Sequence, residues 1–330
     1  MASPTVMPAR IVQQRGVALI TVLLVMVIAV AAVSHAVMRN QLAISRTGAI
    51  LANTQLAEFV RGAEAWAIIA LERDFEEDAG AADSSDNLQE AWAQKLTEFN
   101  PDNGKIRIQI KDLQSCFNVN NLTLGRAGGA ESAYANQLRN LVRNVGGQPD
   151  LALAIEDWLD AGDTPLGSGT EDTGYLGMEV AHRTPDTLIT DISELRHVQG
   201  MEADIWQELE SELCALPETG SRINVNTASQ PLLEAMFPSA NIAGLINQRE
   251  SGTPFAQASD LDTFEVKGGT GDVDFHSTYF VAHIAVQLGF EHRQYWESIL
   301  QLDATSGKVK VIQRQRREFS GQLLQELLGD

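Results

Sequence analysis

An unbroken apolar run from Val17 to Met38 is the feature that most limits what this chain can fold into. As a helix, its residues would span about 33 Å, which is enough to cross the hydrocarbon core of a bilayer. The residues before the run include Arg10 and Arg15 and no acid. The positive-inside rule therefore places residues 1–16 in the cytoplasm and the remainder of the chain on the other side of the membrane.

Three interpretations of this amino terminus compete. It could be a plain membrane anchor, a Sec signal peptide cleaved within the Ala-rich stretch 29–36, or a prepilin-like leader that ends at Gly16, directly before the apolar Val17. The residues that follow favour the leader, because apolar side chains recur at alternating spacings of three and four as far as about Leu71. A cleaved signal peptide needs no such continuation, whereas a pilin stem packs its upper half on a globular head. The recurring residues are Leu42, Ala49, Ala52, Leu56, Phe59, Ala63, Trp66 and Ala70.

The remainder of the chain predicts an α+β fold. Residues 73–90 are acidic and small, which indicates a linker or a short helix with loops. Alternation of polar and apolar residues predicts a strand at 105–113, and residues 114–275 are helical in pattern and punctuated by Gly and Pro. We therefore expect a long pilin-like N-terminal helix and a small antiparallel sheet that is interrupted by a large helical insert. Three further strand-like runs complete the sheet, at 277–290, 291–303 and 307–318.

Composition excludes several classes of function. The chain has 24 Lys and Arg against 44 Asp and Glu, a formal net charge of −20, whereas nucleic-acid binding needs a basic surface. Six His and two Cys, without an HExxH or CxxC spacing, leave little room for a zinc site. The GxSxG nucleophile elbow is absent as well. We expect the protein not to be an enzyme.

Five stretches carry a resemblance to a known family. RGVALITVLLVMVIAV, which begins at Arg15, resembles the leader junction of type II secretion pseudopilins, and four inner stretches resemble the K subunit, the large minor pseudopilin of that system. The leader alone would fit any pseudopilin, whereas the inner motifs would not, so the resemblance is specific; it covers most of residues 15–265. The inner stretches are KDLQSCFNVNNL (111–122), DWLDAGDTPLGSGTEDTGY (157–175), DISELRHVQGM (191–201) and INVNTASQPLLEAM (223–236).

The resemblance implies how the protein is processed and where it acts. A prepilin peptidase would cut after Gly16, and the new amino terminus, Val17, would be N-methylated. The product would be a single-pass inner-membrane subunit with its C-terminal head in the periplasm of a Gram-negative bacterium. Its partners would be I- and J-type minor pseudopilins and the major pseudopilin. Together with the minor pseudopilins it would form the tip of the pseudopilus and initiate its assembly for the export of folded proteins.

Thr21 predicts a position at the tip. Most pilins have Glu at this fifth mature position, and the K subunit resembles this chain in departing from it. A Glu buried in an apolar layer needs a cation, which the terminal amine of the subunit above supplies, so a neutral residue suits a subunit with no neighbour above. A Thr hydroxyl can donate a hydrogen bond to the backbone carbonyl one turn earlier in its own helix. Simple drift within a membrane helix is the alternative.

The resemblance also implies a domain plan. FNVNNL and INVNTA share a hydrophobic-Asn-Val-Asn pattern, and each leads into a helical stretch. Thr227 or Asn226 is expected to cap a helix that begins near Gln230. The two helical units would be sterile-alpha-motif-like (SAM-like) or helix-hairpin-helix-like. The plan consists of a leader at 1–16, a stem helix at 17–72, a head from 73–113 and 276–330, and helical units at 114–220 and 221–275.

The second helical unit raises an alternative function, because it also resembles the helix-hairpin-helix of DNA-uptake proteins. The chain would then be a tip pilin or a DNA-uptake component of a type IV pilus. In those domains a glycine hairpin between two helices meets the DNA backbone. Here residues 237–241 contain no glycine pair, and Pro238 lacks an N–H. Together with the net charge of −20, this disfavours DNA binding.

An acidic segment between Asp150 and Glu194 is a candidate calcium site. Its 45 residues hold eleven acids and one base, Arg183. Clustered carboxylates repel unless something neutralises them, and hard oxygen ligands suit Ca²⁺. The spacing is not that of an EF-hand, and a solvated acidic loop is the alternative. Resemblance to K subunits, which have calcium sites in this helical domain, favours the metal. The candidate ligands are Asp157, Asp160, Asp163, Glu171 and Asp172.

Cys116 and Cys214 are the only two cysteines. Both lie in the part of the chain assigned to an oxidising periplasm, and each sits beside a helical motif. We therefore predict a disulfide between them. Two buried free cysteines are the alternative.

Overall fold

The computed structural model consists of two units, residues 1–57 and 58–330, and we call the second unit the head. The residues that the structure describes are 15–80, 84–94, 96–124, 132–162, 164–167, 169–266, 271–319 and 321–328.

One long helix, α1 (Arg15–Asp78), runs through the first unit and supplies the first residues of the head. Near its N-terminus it contains a window of mean hydropathy 3.0, which is long and apolar enough, by length and composition, to cross a membrane. The helix continues beyond Leu71 and includes residues 73–78, so that part of the predicted linker is helical. An ion pair of 2.7 Å between Arg73 and Glu77, one turn apart, supports this last stretch.

A five-stranded antiparallel sheet forms the centre of the head, in the order β1-β2-β7-β8-β9. The four strands that the alternating pattern predicts are confirmed as β2, β7, β8 and β9. The longest ladder joins β7 to β8, from the pair Tyr279 and Gln301 to the pair Leu288 and His292. In chain order the strands are β1 (Thr97–Phe99), β2 (Gly104–Asp112), β3 (Phe117–Asn118), β4 (Leu213–Cys214), β5 (Ile223–Asn224), β6 (Val273–Asp274), β7 (Tyr279–Leu288), β8 (His292–Leu302) and β9 (Val309–Arg316).

The head portion of α1 lies on one face of this sheet. Glu64 is buried there, accepts a hydrogen bond of 2.6 Å from the Ser298 hydroxyl, and pairs with the Arg314 guanidinium. Residues of α1 that recur at helical spacing are buried on the same side of the helix, as an amphipathic stem requires. They are Val60, Ala63, Ala67 and Leu71.

The segment between β2 and β7 is the predicted helical insert. Short helices predominate in it, together with 3₁₀ turns at Val119–Leu124, Ile192–His197 and Ala258–Phe264. After α1, the α-helices are α2 (Ala91–Gln94), α3 (Ala133–Asn144), α4 (Leu151–Leu159), α5 (Asp172–Tyr175), α6 (Ala203–Leu209), α7 (Gln230–Met236), α8 (Ile242–Glu250) and α9 (Gly321–Leu328).

The two predicted helical units share one buried apolar core, which extends from Phe117 to Val273. Helix α3 of the first helical unit packs against α7 of the second helical unit. A hydrogen bond of 3.0 Å from Asn140 Nδ2 to the Ala235 carbonyl crosses this contact. The insert therefore folds around a common core rather than around two separate ones.

Helix α7 begins at Gln230, as predicted, but its predicted cap is wrong. The Ser229 hydroxyl caps it and accepts a hydrogen bond of 3.2 Å from Leu232 N. Thr227 and Asn226 are buried, and their side chains bond to other parts of the head. Both predicted capping residues therefore use their side chains in tertiary contacts instead of capping the helix.

Candidate functional site

The predicted processing and tip residues lie at the start of α1. Gly16 and Val17 are in its first turn. The Thr21 hydroxyl donates a hydrogen bond of 2.9 Å to the carbonyl of Ala18, one turn earlier. Thr21 thus satisfies its own polar group without a neighbouring chain, as expected from the sequence.

Two of the predicted calcium ligands, Asp157 and Glu171, are buried near the hydroxyl of Tyr175. Asp157 lies in the last turn of α4, and each of its carboxylate oxygens accepts from Leu166 N at 3.0 Å. Glu171 directly precedes α5. Burial raises the pKa of Tyr175, and the negative charges of Asp157 and Glu171 raise it further. These two carboxylates therefore share one environment.

Loop backbone lies close against the Asp157 carboxylate. A Cβ atom added at Gly169 would collide with Asp157 Oδ2, so only glycine permits this approach. Two buried carboxylates with loop backbone around them are hard donors, which fit Ca²⁺. Asp157 and Glu171 are the residues that would hold it.

The other two described candidates, Asp160 and Asp172, have partners of their own. Asp160 ends α4, and its Oδ1 accepts a hydrogen bond of 2.7 Å from Gly162 N. Asp172 is 2.7 Å from the Arg183 guanidinium and also accepts from Thr184 N at 3.2 Å. Asp163 lies outside the described residues. Each of the two described carboxylates is thus satisfied by a local partner.

A second group of carboxylates, which the sequence did not predict, lies beside the last turns of α1. Asp74 of α1 and Asp86 and Glu90 of the segment before α2 place one carboxylate oxygen each within 4.8 Å of the other two. We call these three residues the distal carboxylate cluster. Among the described residues, the acids of the insert form no such group of three.

Burial shifts the proton affinity of the distal carboxylate cluster. Desolvation, with added repulsion from neighbouring carboxylates, raises the pKa of Asp74 to about 7. The same causes raise the pKa of Asp86 to about 8 and that of Glu90 to about 8. Donors hold the cluster in place, since Trp92 Nε1 donates to Glu90 at 2.6 Å. The only available signal in the sequence was the acidity of residues 73–90, because the approach of Asp86 to Asp74 depends on how the chain reverses after α1.

Asp112, at the end of β2, is the most enclosed carboxylate next to this cluster. It is buried and accepts hydrogen bonds from Ser277 Oγ at 2.7 Å, Thr227 Oγ1 at 2.5 Å and Asn224 Nδ2 at 3.1 Å. Gln114 N donates to it at 2.7 Å. Burial raises the pKa of Asp112 although these donors lower it. The carboxylate joins the sheet to the start of the second helical unit.

The repeated hydrophobic-Asn-Val-Asn pattern has the same structural role in both places. Asn120 Oδ1 accepts from Ile189 N at 3.0 Å, and its Nδ2 donates to the Ile189 carbonyl at 3.0 Å. Asn226 makes the same two bonds to Phe255, at 2.8 Å each. Each amide therefore pairs with both backbone groups of a distant residue, as a strand would. The motif holds the insert together.

The structure joins Cys116 to Cys214 in a disulfide with a Cα–Cα distance of 5.7 Å. Both cysteines are buried beside Leu216 and Tyr279, in a small apolar cluster separate from the insert core. Among the described residues no free cysteine remains. The bridge connects the turn after β2 to the strand β4.

The segment that resembles a DNA-binding hairpin consists of α7, the residues 237–241, and α8. Asn241 caps α8 by accepting a hydrogen bond of 3.1 Å from Gly244 N. The groove beside it is lined by Glu234 and Pro238 among others. Pro238, which has no N–H, lies between the two helices, where a phosphate-binding backbone would be needed, and Glu234 adds a carboxylate from α7.

Comparison with known proteins identifies the family. The family described as "Type II secretion system (T2SS), protein K" matches residues 115–218 and, in a second segment, residues 223–281. The protein of that name from Pectobacterium carotovorum is 31% identical, with 92% of this chain and 96% of the relative covered. The one from Pseudomonas aeruginosa is 34% identical, with 91% and 92% covered. The chain belongs to the type II secretion system protein K family.

A solved structure supports the fold assignment. Protein K in the crystal structure of the GspK-GspI-GspJ complex from enterotoxigenic Escherichia coli is 24% identical to this chain, with a TM-score of 0.69. The alignment covers 83% of this chain and 100% of the other. The two segments that match the protein K family contain both Asn motifs, both cysteines and the predicted calcium ligands, so these features lie in the part of the chain that marks the family.

Proposed function

We propose that this chain is a minor pseudopilin at the tip of the periplasmic pseudopilus, where it initiates assembly for the export of folded proteins. The observation that carries the proposal is the joining of an apolar helix to a head that contains a large folded insert. A head enlarged in this way is suited to end a fibre rather than to repeat along it. The related GspK was crystallised in a complex with GspI and GspJ. The corresponding I- and J-type pseudopilins are the partners we propose here, with the major pseudopilin below them.

Thr21 supports the tip position. Its hydroxyl is satisfied by the Ala18 carbonyl, so this position requires no amine from a subunit above. The amine of a processed Val17 remains available to a Glu of the subunit below. Cysteines engineered into the stems test this arrangement: cross-links only to partners below support it, and repeated self-contacts along a fibre contradict it.

Processing, location and chemistry complete the proposal. Prepilin peptidase would cut between Gly16 and Val17 in the inner membrane, and mass spectrometry should find an N-methylated Val17. The head would lie in the periplasm, where Cys116 and Cys214 stay oxidised, and thiol titration of the unfolded, unreduced chain should then find no free thiol. We propose no catalytic activity. The helical units would be SAM-like or helix-hairpin-helix-like in fold.

We propose that the insert binds Ca²⁺ and that it does not bind DNA. Two buried carboxylates, Asp157 and Glu171, support the first statement, and the cation would neutralise their mutual repulsion. Pro238 and the net charge of −20 support the second. A mobility-shift assay in which the chain retards DNA would favour the alternative of a DNA-uptake pilin.

Co-purification tests the function as a whole. The full-length chain in detergent should form a stable complex with I- and J-type pseudopilins from the same organism and should not polymerise alone. The single substitution Thr21→Glu should leave that complex intact but permit self-association. Failure of the wild-type chain to bind either partner would contradict the proposed function.

A further inference from the structure

A groove lies at the near end of the head, where the chain enters it along α1. The start of β2 and the hairpin between β7 and β8 form its walls, and a Cβ added at Gly104 would lie 2.5 Å from the Phe59 ring of α1. The groove is open and has a volume of about 480 Å³. We call it the basic groove, because its described lining includes Lys105, Arg107 and Arg293 and no carboxylate.

The basic groove presents an excess of positive charge in a chain of net charge −20. Among the described residues, Glu98 forms ion pairs with two of the groove's cations, at 2.7 Å from Arg107 and 3.8 Å from Lys105. The Arg293 Nε donates to Gln287 Oε1 at 3.2 Å, and among the described residues Arg293 forms no ion pair. An acidic ligand would balance the positive charge of this groove.

A large apolar side chain stands beside these cations. Phe290, at the tip of the β7–β8 hairpin, is 98% exposed, the highest exposure among the large apolar residues of the described chain. A scattered apolar residue at a surface needs no explanation, but an aromatic ring at the rim of a charged groove has the composition of an interface centre.

Hydrogen bonds hold the backbone of the hairpin tip beside the groove. Gly289 N donates to the Asn103 carbonyl at 2.8 Å, which ties the tip to the loop before β2. Gln287 Nε2 donates to the Gly289 carbonyl at 2.7 Å. Gly289 has a φ of +59°, which a residue with a side chain rarely adopts. A preorganised surface of this kind reduces the entropy cost of docking.

We propose that the basic groove, with Phe290 at its rim, is the docking surface for an acidic patch on the head of an adjacent minor pseudopilin. The inference rests on the proposed function, and it specifies which surface of the head makes the contact. A bilayer is the less suitable occupant, since an extended anionic surface would also repel the acidic remainder of the chain.

Charge reversal and truncation in the groove test the proposal. Arg293→Glu should weaken the affinity of the full-length chain, in neutral detergent, for the I- or J-type partner by about ten-fold or more, and high salt should reduce this difference. Phe290→Ala should weaken it by about five-fold. Matched controls are Lys310→Glu, an exposed charge reversal on β9, and Val180→Ala, a truncation of another exposed apolar side chain. Each control should change the affinity by less than about two-fold.

The outcomes separate this inference from the proposed function. If the wild-type chain binds the partners and the groove variants bind as the controls do, the docking surface is wrong and the function stands. If the wild-type chain binds neither partner, the function itself fails. A fluorophore attached through Phe290→Cys tests whether the groove binds lipid instead. If its spectrum shifts in phosphatidylglycerol vesicles but not in neutral ones, and Arg293→Glu has no effect on partner affinity, the ligand of the groove is an anionic lipid and the proposed protein partner is wrong.

Discussion

The helical insert and the distal carboxylate cluster are both acidic, but they differ in how their carboxylates are satisfied. In the insert, Asp160 and Asp172 accept hydrogen bonds from nearby groups in their own segment. In the distal carboxylate cluster, three carboxylates from two segments meet within 4.8 Å. Residues 150–194 of the insert hold eleven acids and residues 73–90 hold seven, yet the closer convergence is in the second segment. The number of acids in a segment therefore does not predict where their carboxylates meet in space.

The difference lies in what neutralises each group. Backbone N–H groups and Arg183 bond directly to carboxylates of the insert. Burial instead opposes ionisation in the distal carboxylate cluster, where the pKa of Asp86 and that of Glu90 rise to about 8. Four predictions test this contrast.

The largest effect is expected at Asp112, beside the distal carboxylate cluster. Asp112→Ala leaves several buried donors without an acceptor, including those of Ser277, Thr227 and Asn224. The free energy of unfolding should fall by about 3 to 5 kcal/mol, as for a broken buried polar network. Denaturant unfolding of the chain in detergent measures it. A loss below about 1 kcal/mol would show that the network does not join the sheet to the insert.

The distal carboxylate cluster should make stability depend on pH. Its folded pKa values, about 7 to 8, lie above the ordinary values near 4, so the folded state binds more protons. The stabilisation is complete below about pH 4 and is lost as pH rises through about 8. After allowance for partial exposure, we expect a loss on the order of 3 kcal/mol between pH 5 and 8.5.

A neutral variant of the cluster provides the control for this titration. The triple substitution Asp74→Asn, Asp86→Asn and Glu90→Gln should at least halve the slope of stability against pH. Asp160→Asn, in the insert, should leave that slope unchanged, because Asp160 lies outside the cluster, is only half-buried and is bonded locally. A slope of opposite sign, or one that the triple variant does not alter, would contradict the assignment.

The sequence predicted the framework of this protein well and its polar sites only in part. Periodicity predicted the stem helix and four of the five sheet strands, because burial of one face leaves a period in the residues. It missed the three-residue strand β1, which is too short to show a period. The distal carboxylate cluster was missed because its members are separated by a chain reversal that no local pattern encodes. The cap of α7 is Ser229 rather than Thr227, because Thr227 bonds to Asp112. These two residues are 115 positions apart, so no local pattern predicts their contact.

Calcium should distinguish the two acidic regions. Millimolar Ca²⁺ should raise the melting temperature of the chain in detergent by a few degrees, and a chelator should reverse the rise, because a ligand that binds only the folded state stabilises it. Glu171→Gln, in the insert, should abolish the response, whereas Glu90→Gln should preserve it. The reverse pattern would place the cation in the distal carboxylate cluster, and a melting temperature indifferent to calcium would leave the insert as a solvated acidic loop.

The smallest effect is expected at the ion pair between Asp172 and Arg183. The guanidinium is 70% exposed, so solvent screens the pair, and Arg183→Ala should lower the free energy of unfolding by only about 0.5 kcal/mol. Asp172→Ala should cost more, about 1 kcal/mol, because Thr184 N also loses its acceptor. Half-molar salt should remove most of the first effect and little of the second. If both variants lost the same free energy of unfolding, and salt changed neither loss, the insert would require Arg183 to neutralise its carboxylates. The contrast between the two acidic regions would then be wrong.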